Sequence, residues 1–472
     1  MKILLIEPNA GVWAPGTYLR HSSVEPLGLQ YVGAIAKLDG FDVKIIQQRA
    51  KPDAAILAEV QSFQPDVVGF SVMTYNYYAA RNLARLIKQL NGKIKIVMGG
   101  SHPSAMPQIT EDENIDFAVI GEGEETFRDL MNAIRNNTDC LNVNGIAFHD
   151  GEVQITNPRK RIATLDSLPW PMRSKEILED CRIFGLNNPP ASKQKSVAQV
   201  LYSRGCPYDC IFCASHRLWG KRVFFRSTKD VVAEIKNLES EFGTNYVYFA
   251  DLLFNHSKEK VISLCDELIR GHVNSKWFCL CSVLNIEQDM VLRMKEAGCS
   301  RIGFGIDSID DSILKRIKPR QKSASSKIEN ALNLSNNAGI INRAFFIIGY
   351  PWQSKNELLK VGAVLQALPI DELRIGILTP LPGSPIYDDF KKQGIIINED
   401  FSKYTTEESA IQLKDMNADE LDRIKQQIFK DFYQSPAYYK RMKDKIRRFP
   451  ELKESFQVHI EFLKARGISI GL

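Results

Sequence analysis

The stretch SRGCPYDCIFCAS, Ser203 to Ser215, places Cys206, Cys210 and Cys213 at C-x3-C-x2-C spacing in one short loop. Three thiolates on so tight a loop can hold three corners of a cubane iron–sulfur cluster. A structural site normally takes four protein ligands, and three leave one metal open, the logic that separates catalytic from structural zinc sites. Gly205 and Pro207 let the loop turn, and Phe212 is placed to shield a cluster from water. Two blander uses stand beside this one: a zinc site completed by His216, and ordinary buried thiols. The chain has nine cysteines. That odd count suits no disulfide framework, and clustered cysteines in a reducing compartment point to metal or catalysis. Cys279 and Cys281, two apart on an expected strand, face one side of it, with too few cysteines nearby for a second cluster.

The loop directly follows AQVLYS, the first of six strand segments. The others are YVYFAD, KWFCLCS, RIGFGID, RAFFIIGY and LRIGILTP, separated by helical patterns such as DVVAEIKNLESEF. Six such units make an open or partial barrel of TIM type, with its loops gathered at the strand carboxyl ends. It is expected over residues 197–398, and residues 399–472 read as a helical tail. Upstream, residues 1–140 alternate buried strands (2–7, 42–47, 66–72, 94–100, 116–121) with helical patterns (27–38, 54–63, 76–90, 124–134). That alternation implies a parallel, doubly wound, Rossmann-like domain. Its ligand crevice lies beyond the strand carboxyl ends, at residues 8–20, 71–78, 99–107 and 121–125. Residues 141–196 read as a hairpin turning at Asp150-Gly151, then a linker with Pro169, Pro171, Pro189 and Pro190. The fold class is therefore α/β throughout, with a helical end.

The chain of 472 residues is 44% hydrophobic and 25% charged, the balance of a globular protein too long for one core. Its charge, 61 − 56 = +5, is spread along the chain and demands neither nucleic acid nor an acidic membrane. No apolar run approaches the roughly 18 residues of a spanning helix. MKILLIEPNA lacks the apolar stretch and cleavage site of a signal peptide, so the expected compartment is the cytoplasm.

With its cysteine loop after the first strand of a six-unit barrel, the chain resembles the radical S-adenosylmethionine (SAM) enzymes. Further matches are FRSTKDVVAEI, EAGCSRIGFGIDS, FFIIGYPWQSKNEL and LTPLPGSPIYD. The resemblance implies a 4Fe–4S cluster whose open iron chelates SAM, with reductive cleavage to a 5′-deoxyadenosyl radical that takes hydrogen from substrate. The chemistry belongs to the cofactor, while orientation and exclusion of water fall to the protein. It also implies SAM contacts at Asp251, Ser282, Asp307, Gly349, Pro351 and Pro380. Relatives commonly carry Glu where this chain has Asp307, and an Arg near Val283 where it has none.

The first 140 residues resemble the cobalamin-binding domain that precedes the barrel in one large subgroup, through EPLGLQYVGAIAKLDGFDVKII, PDVVGFSVMT, IVMGGSHPSAMP and DFAVIGEGEETFRDL. The D-x-H-x-x-G element whose His ligates cobalt is absent: QRAKPDA follows DVKIIQ. The resemblance places the lower cobalt face against Val72, Met73, Thr74 and Tyr75. The nucleotide tail falls against Gly99, Gly100 and Ser101, with His102, Gly121, Glu122 and Gly123 bordering the pocket. The implied activity is methyl transfer from methylcobalamin to an unactivated carbon of a small-molecule or natural-product substrate, with an electron donor such as flavodoxin or ferredoxin. The alternative keeps the radical without methyl transfer or cobalamin: dehydration, cyclisation or rearrangement. Replacing Cys210 with Ala abolishes SAM cleavage if the three cysteines hold the cluster; cleavage that survives refutes the assignment.

Overall fold

The computed structural model describes residues 1–9, 24–49, 51–179, 181, 197–319, 321 and 325–468. Most of the expected crevice segment 8–20, and linker residues 182–196 with Pro189 and Pro190, lie outside these.

The first sheet is built from β1 (Lys2–Glu7), β2 (Asp42–Gln47), β3 (Val67–Ser71), β4 (Lys95–Gly99), β5 (Phe117–Val119), β6 (Ile146–Asp150) and β7 (Glu152–Ile155), in the order β2-β1-β3-β4-β5-β6-β7. The pairs among β1 to β5 are parallel. β1 shows why the sheet is covered twice. Ile3 and Leu5 pack with Leu29, Phe127 and Leu130 of the helices Leu27–Leu38 and Glu124–Asn136. Leu4 and Ile6 pack with Ile56, Val60 and Leu83 of the helices Asp53–Phe63 and Tyr77–Leu90. A strand buried on both faces must be apolar on both, which Ile3 to Ile6 of KILLIE supply. The hairpin β6–β7, expected to open a linker, pairs antiparallel with β5 and forms this sheet's edge. The first unit thus runs on to Ile155, past the expected boundary at 140.

The second sheet comprises β8 (Val197–Val200), β11 (Tyr246–Phe249), β12 (Lys276–Cys281), β13 (Cys299–Asp307), β14 (Ile341–Ile348) and β15 (Glu372–Ile377), all parallel and in chain order. β9 (Ser203–Arg204) and β10 (Phe224–Phe225) form a separate antiparallel ribbon. Among the described residues β8 and β15 do not pair, so the barrel is open. Each free edge is covered from outside it. Glu25, from the first domain, accepts the Gln199 N–H of β8 on Oε1 (2.5 Å) and the Gln199 amide on its carbonyl (2.7 Å). On the far edge Ile377 N donates to Thr406 O of the tail (2.7 Å).

The tail continues in the helices Ala418–Gln434, Pro436–Arg448 and Lys453–Ala465. Lys445 is buried there and donates to Asp371 Oδ2 (2.5 Å) and Ile340 O (2.7 Å), while Asp371 Oδ2 also accepts Asn342 N (2.7 Å). No described helix is long and apolar enough to cross a membrane. Removing one partner of a buried pair strands the other charge. Asp371→Ala is therefore expected to cost about 3–5 kcal/mol in guanidinium unfolding, and Asp371→Leu with Lys445→Met to recover part of it.

Candidate active site

β9 delivers the chain to Gly205, at φ +112°. A Cβ there would stand 2.2 Å from the Arg222 carbonyl oxygen, so the close approach of β9 and β10 admits only glycine. The loop beyond is tied down by its backbone. Cys206 N donates to Gly220 O (3.4 Å), Ile211 N to Ile317 O (2.9 Å), and Ile386 N to Ile211 O (3.0 Å). Phe212 packs against the barrel core, as expected. The three cysteines are free and half-buried. Gln321 Nε2 donates to Cys210 Sγ (3.2 Å), and Cys213 Sγ to Ser215 Oγ (3.1 Å). Burial pushes the Cys210 thiol up to about 12, partly offset by the Lys318 ammonium, and raises Cys206 as well. Ligation must therefore displace protons from these thiols.

Among the described residues no three His, Cys, Asp or Glu side chains gather where one ion could sit, so the zinc site with His216 is not assembled. A cubane makes no such demand, because each thiolate ligates a different iron. Three soft thiolates on one clamped loop fit that group.

The residues expected at SAM divide. Ser282 is brought to the loop: it hydrogen-bonds Tyr208, within the cysteine motif, and accepts Leu284 N (3.2 Å). Asp251 is put to another use. It is 1% exposed, its Oδ2 accepts Tyr202 N (3.0 Å), and its Oδ1 accepts both N and Oγ of Ser203 (2.5 Å each). The carboxylate clamps the turn from β8 into β9, a structural use beside the SAM contact that the resemblance implied. Burial raises its pKa to about 6 in spite of these donors. Asp307, at φ +62°, pairs through Oδ2 with Lys318 (2.5 Å), which also donates to Gly305 O (3.2 Å). The carboxylate meets a buried ammonium at a position where the resemblance implied a SAM contact.

Gly349, at φ +81°, is buried, and a Cβ there would stand 2.6 Å from Leu421 of the tail. Its small size serves the packing of that tail helix. Pro351 is half-buried beside Trp352, and Pro380 is buried at the end of β15. Lys318 was missed by the sequence reading. Only its burial beside Cys210 and Asp307 distinguishes it from any surface lysine.

In the first domain, a cavity of about 120 Å³ opens at the carboxyl ends of β1, β3, β4 and β5. Its walls are apolar (Leu5, Leu29, Val97, Phe127) and its rim is glycine (Gly99, Gly100, Gly121, Gly123), with Glu122 beside it and Trp219 reaching in from the barrel. At Gly121 and Gly28 a Cβ would meet nothing within 4 Å, whereas at Gly100 it would stand 2.7 Å from Val72 O. A slot with apolar walls and a bare glycine rim fits the flat base of cobalamin's nucleotide tail. Ser101 donates to Met73 Sδ (3.3 Å), and Met73 is 45% exposed at the end of β3. Tyr75 is half-buried, its pKa pushed up to about 12 by burial.

Val72 and Thr74 turn inward. Val72 is fully buried, with its backbone bonded to Gly99 O and His102 N. Thr74 meets His102 Nδ1 (3.3 Å). His102 is drawn into an aromatic cluster. It is buried, its ring 4.5 Å from Tyr77 and 5.0 Å from Phe401 of the tail, and burial lowers its pKa to about 4. Gly383, at φ +86°, marks where the loop after β15 meets both neighbours. A Cβ there would stand 2.9 Å from Ala105 of the first domain and 2.8 Å from Arg217 of the helix Ser215–Trp219.

Residues 20–131 match the B12 binding domain family, and residues 200–365 the radical SAM superfamily. Over 92% of this chain and 93% of the relative, it is 29% identical to an uncharacterized methyltransferase of Pyrococcus horikoshii. An anaerobic magnesium-protoporphyrin IX monomethyl ester cyclase of Rubrivivax gelatinosus is 26% identical over 95% of this chain and 80% of its own. In fold the chain is similar to the cobalamin-dependent SAM radical enzyme OxsB (TM-score 0.73, 18% identity, 99% of this chain and 75% of that one). It is likewise similar to the radical SAM methyltransferase TsrM of Kitasatospora setae (TM-score 0.68, 18% identity, 84% and 77%). The chain belongs to the radical SAM enzymes that carry an N-terminal B12-binding domain. A 4Fe–4S cluster, SAM and cobalamin are accordingly its cofactors.

If Asp251 clamps the cysteine loop, Asp251→Asn turns an amide donor toward the Tyr202 and Ser203 N–H groups. An unpaired buried group costs about 1–3 kcal/mol, and iron bound per chain after reconstitution should fall well below wild type. Full iron content with only a raised KM for SAM would return Asp251 to the SAM site.

Proposed function

We propose that this enzyme transfers a methyl group to an unactivated carbon of a small-molecule substrate. When bound, the cluster and SAM supply a 5′-deoxyadenosyl radical that takes hydrogen from the substrate, and cobalamin supplies the methyl group. One observation carries the reading: the glycine-rimmed cavity of the first domain is walled partly by Leu218 and Trp219, on the helix that follows the cysteine loop. The proposed cobalamin cavity therefore adjoins the helix after the cysteine loop, and we place the substrate in the space between the two. The chain's own part is to clamp the cysteine loop through Asp251, Gly205 and the Ile211 backbone bonds. Its tail and the loop after β15 help to enclose that space. Ser282, Pro351 and Pro380 stand as proposed SAM contacts, and Met73, Tyr75, Gly99, Gly100, Ser101, Gly121, Glu122 and Gly123 as proposed cobalamin contacts. The electron comes from a separate low-potential donor such as flavodoxin or ferredoxin.

A second reading, radical chemistry without methyl transfer, is favoured by the similarity to the cyclase over nearly the whole chain. The products separate the two. Methyl transfer yields S-adenosylhomocysteine together with 5′-deoxyadenosine when the reconstituted enzyme turns over its substrate. 5′-Deoxyadenosine alone sinks methyl transfer.

A further inference from the structure

Arg204 sits two residues before the first cluster cysteine, yet its side chain leaves the barrel. Its NH2 donates to Glu124 Oε1 (2.6 Å) and its NH1 to Glu122 Oε1 (3.3 Å), and all three side chains are at most 5% exposed. The guanidinium lies between two rings, 4.9 Å from the centroid of Tyr31 and 5.1 Å from that of Trp219. Glu122, Glu124 and Trp219 all line the cobalamin cavity. Glu122 is held from behind: its Oε2 accepts Ile162 N (2.9 Å) and pairs with Arg161 (3.5 Å), which also donates to Arg222 O (2.6 Å). Arg222 O is the atom that leaves Gly205 no room for a side chain. The rim of one cofactor site and the loop of the other are thus joined by one network of ion pairs and hydrogen bonds.

We propose that Arg204 is a positioning residue that couples the two sites, so that assembling the cluster tightens cobalamin binding and the reverse. Ligation of three irons fixes the loop 206–213 and, through Gly205, the backbone of Arg204. The guanidinium then holds Glu122 and Glu124 where they border the cavity. Cobalamin entering that cavity has less rim to order, so ordering done once by the cluster is not repeated. Coupling between two binding sites is reciprocal by thermodynamic necessity. The inference rests on cobalamin occupying the cavity and not on the reaction being methyl transfer.

The test is to titrate cobalamin, followed by its absorbance, into the full chain with and without its reconstituted cluster. The wild type should bind at least about fivefold more tightly with the cluster present, the lower range of such couplings. The EPR signature of the reduced cluster should shift on addition of cobalamin. In Arg204→Lys and Glu124→Gln the affinity ratio should fall to near one and the shift should vanish. A merely structural Arg204 would lower the unfolding midpoint and leave the ratio intact. Equal affinities in the two wild-type forms overturn the proposal, as does a ratio that survives either folded variant. If Arg204→Lys does not fold, Glu124→Gln, which keeps the side chain's shape, decides together with the wild-type comparison. Because the readout is binding, a failure to detect S-adenosylhomocysteine leaves this result standing.

Discussion

A parallel sheet that stops short of closing has two edges of unpaired backbone, and neither can be left bare. That constraint organises the molecule. The β8 edge is met by Glu25, whose carboxylate and carbonyl together satisfy Gln199. The β15 edge is met by the tail at Thr406. The first domain and the tail are therefore parts of the barrel's wall.

The interface this creates is stitched by charge. Arg173 of the connecting segment bridges Glu25 (2.6 Å) and Glu234 (2.5 Å), and Arg226 pairs with Glu234 and Asp230. Arg204 joins Glu122 and Glu124. Buried pairs of this kind add little net stability but penalise every misplacement that separates them. Such pairs fix an arrangement of the domains more than they enlarge a core. Barrel and tail share one apolar cluster, and Val24 of the first domain packs on Val197, Tyr246 and Phe278. These polar ties, and Phe401 against Tyr77, Tyr78 and His102, add to that in setting how the first domain sits.

The fold was legible because strand period and helix period are local. KILLIE, the six barrel strands and the C-x3-C-x2-C loop can each be read without knowing what they touch. The hairpin 146–155 was recognised as a hairpin, but its pairing with β5 is a tertiary choice that no local pattern records. The site residues failed for the same reason. Asp251 at a strand end looks equally like a ligand contact and a clamp, and only the positions of Tyr202 N and Ser203 N decide. Gly349 announces a close approach without saying whose, and the answer is Leu421. Lys318 and Arg204 are single charges in ordinary surroundings until burial removes the water from them. Conversely, Ser282 and the glycines Gly99, Gly100, Gly121 and Gly123 lie at strand carboxyl ends, a location that the strand pattern fixes whatever the side chain does.

The way the two barrel edges are covered also bears on how the chain is made. The cover for β8 comes from residue 25, which leaves the ribosome long before the strand it protects. The cover for β15 comes from residue 406, synthesised after it. A nascent barrel is therefore shielded on its first edge from the outset and exposed on its last until the tail emerges. During that interval an apolar parallel edge is open to pairing with another chain.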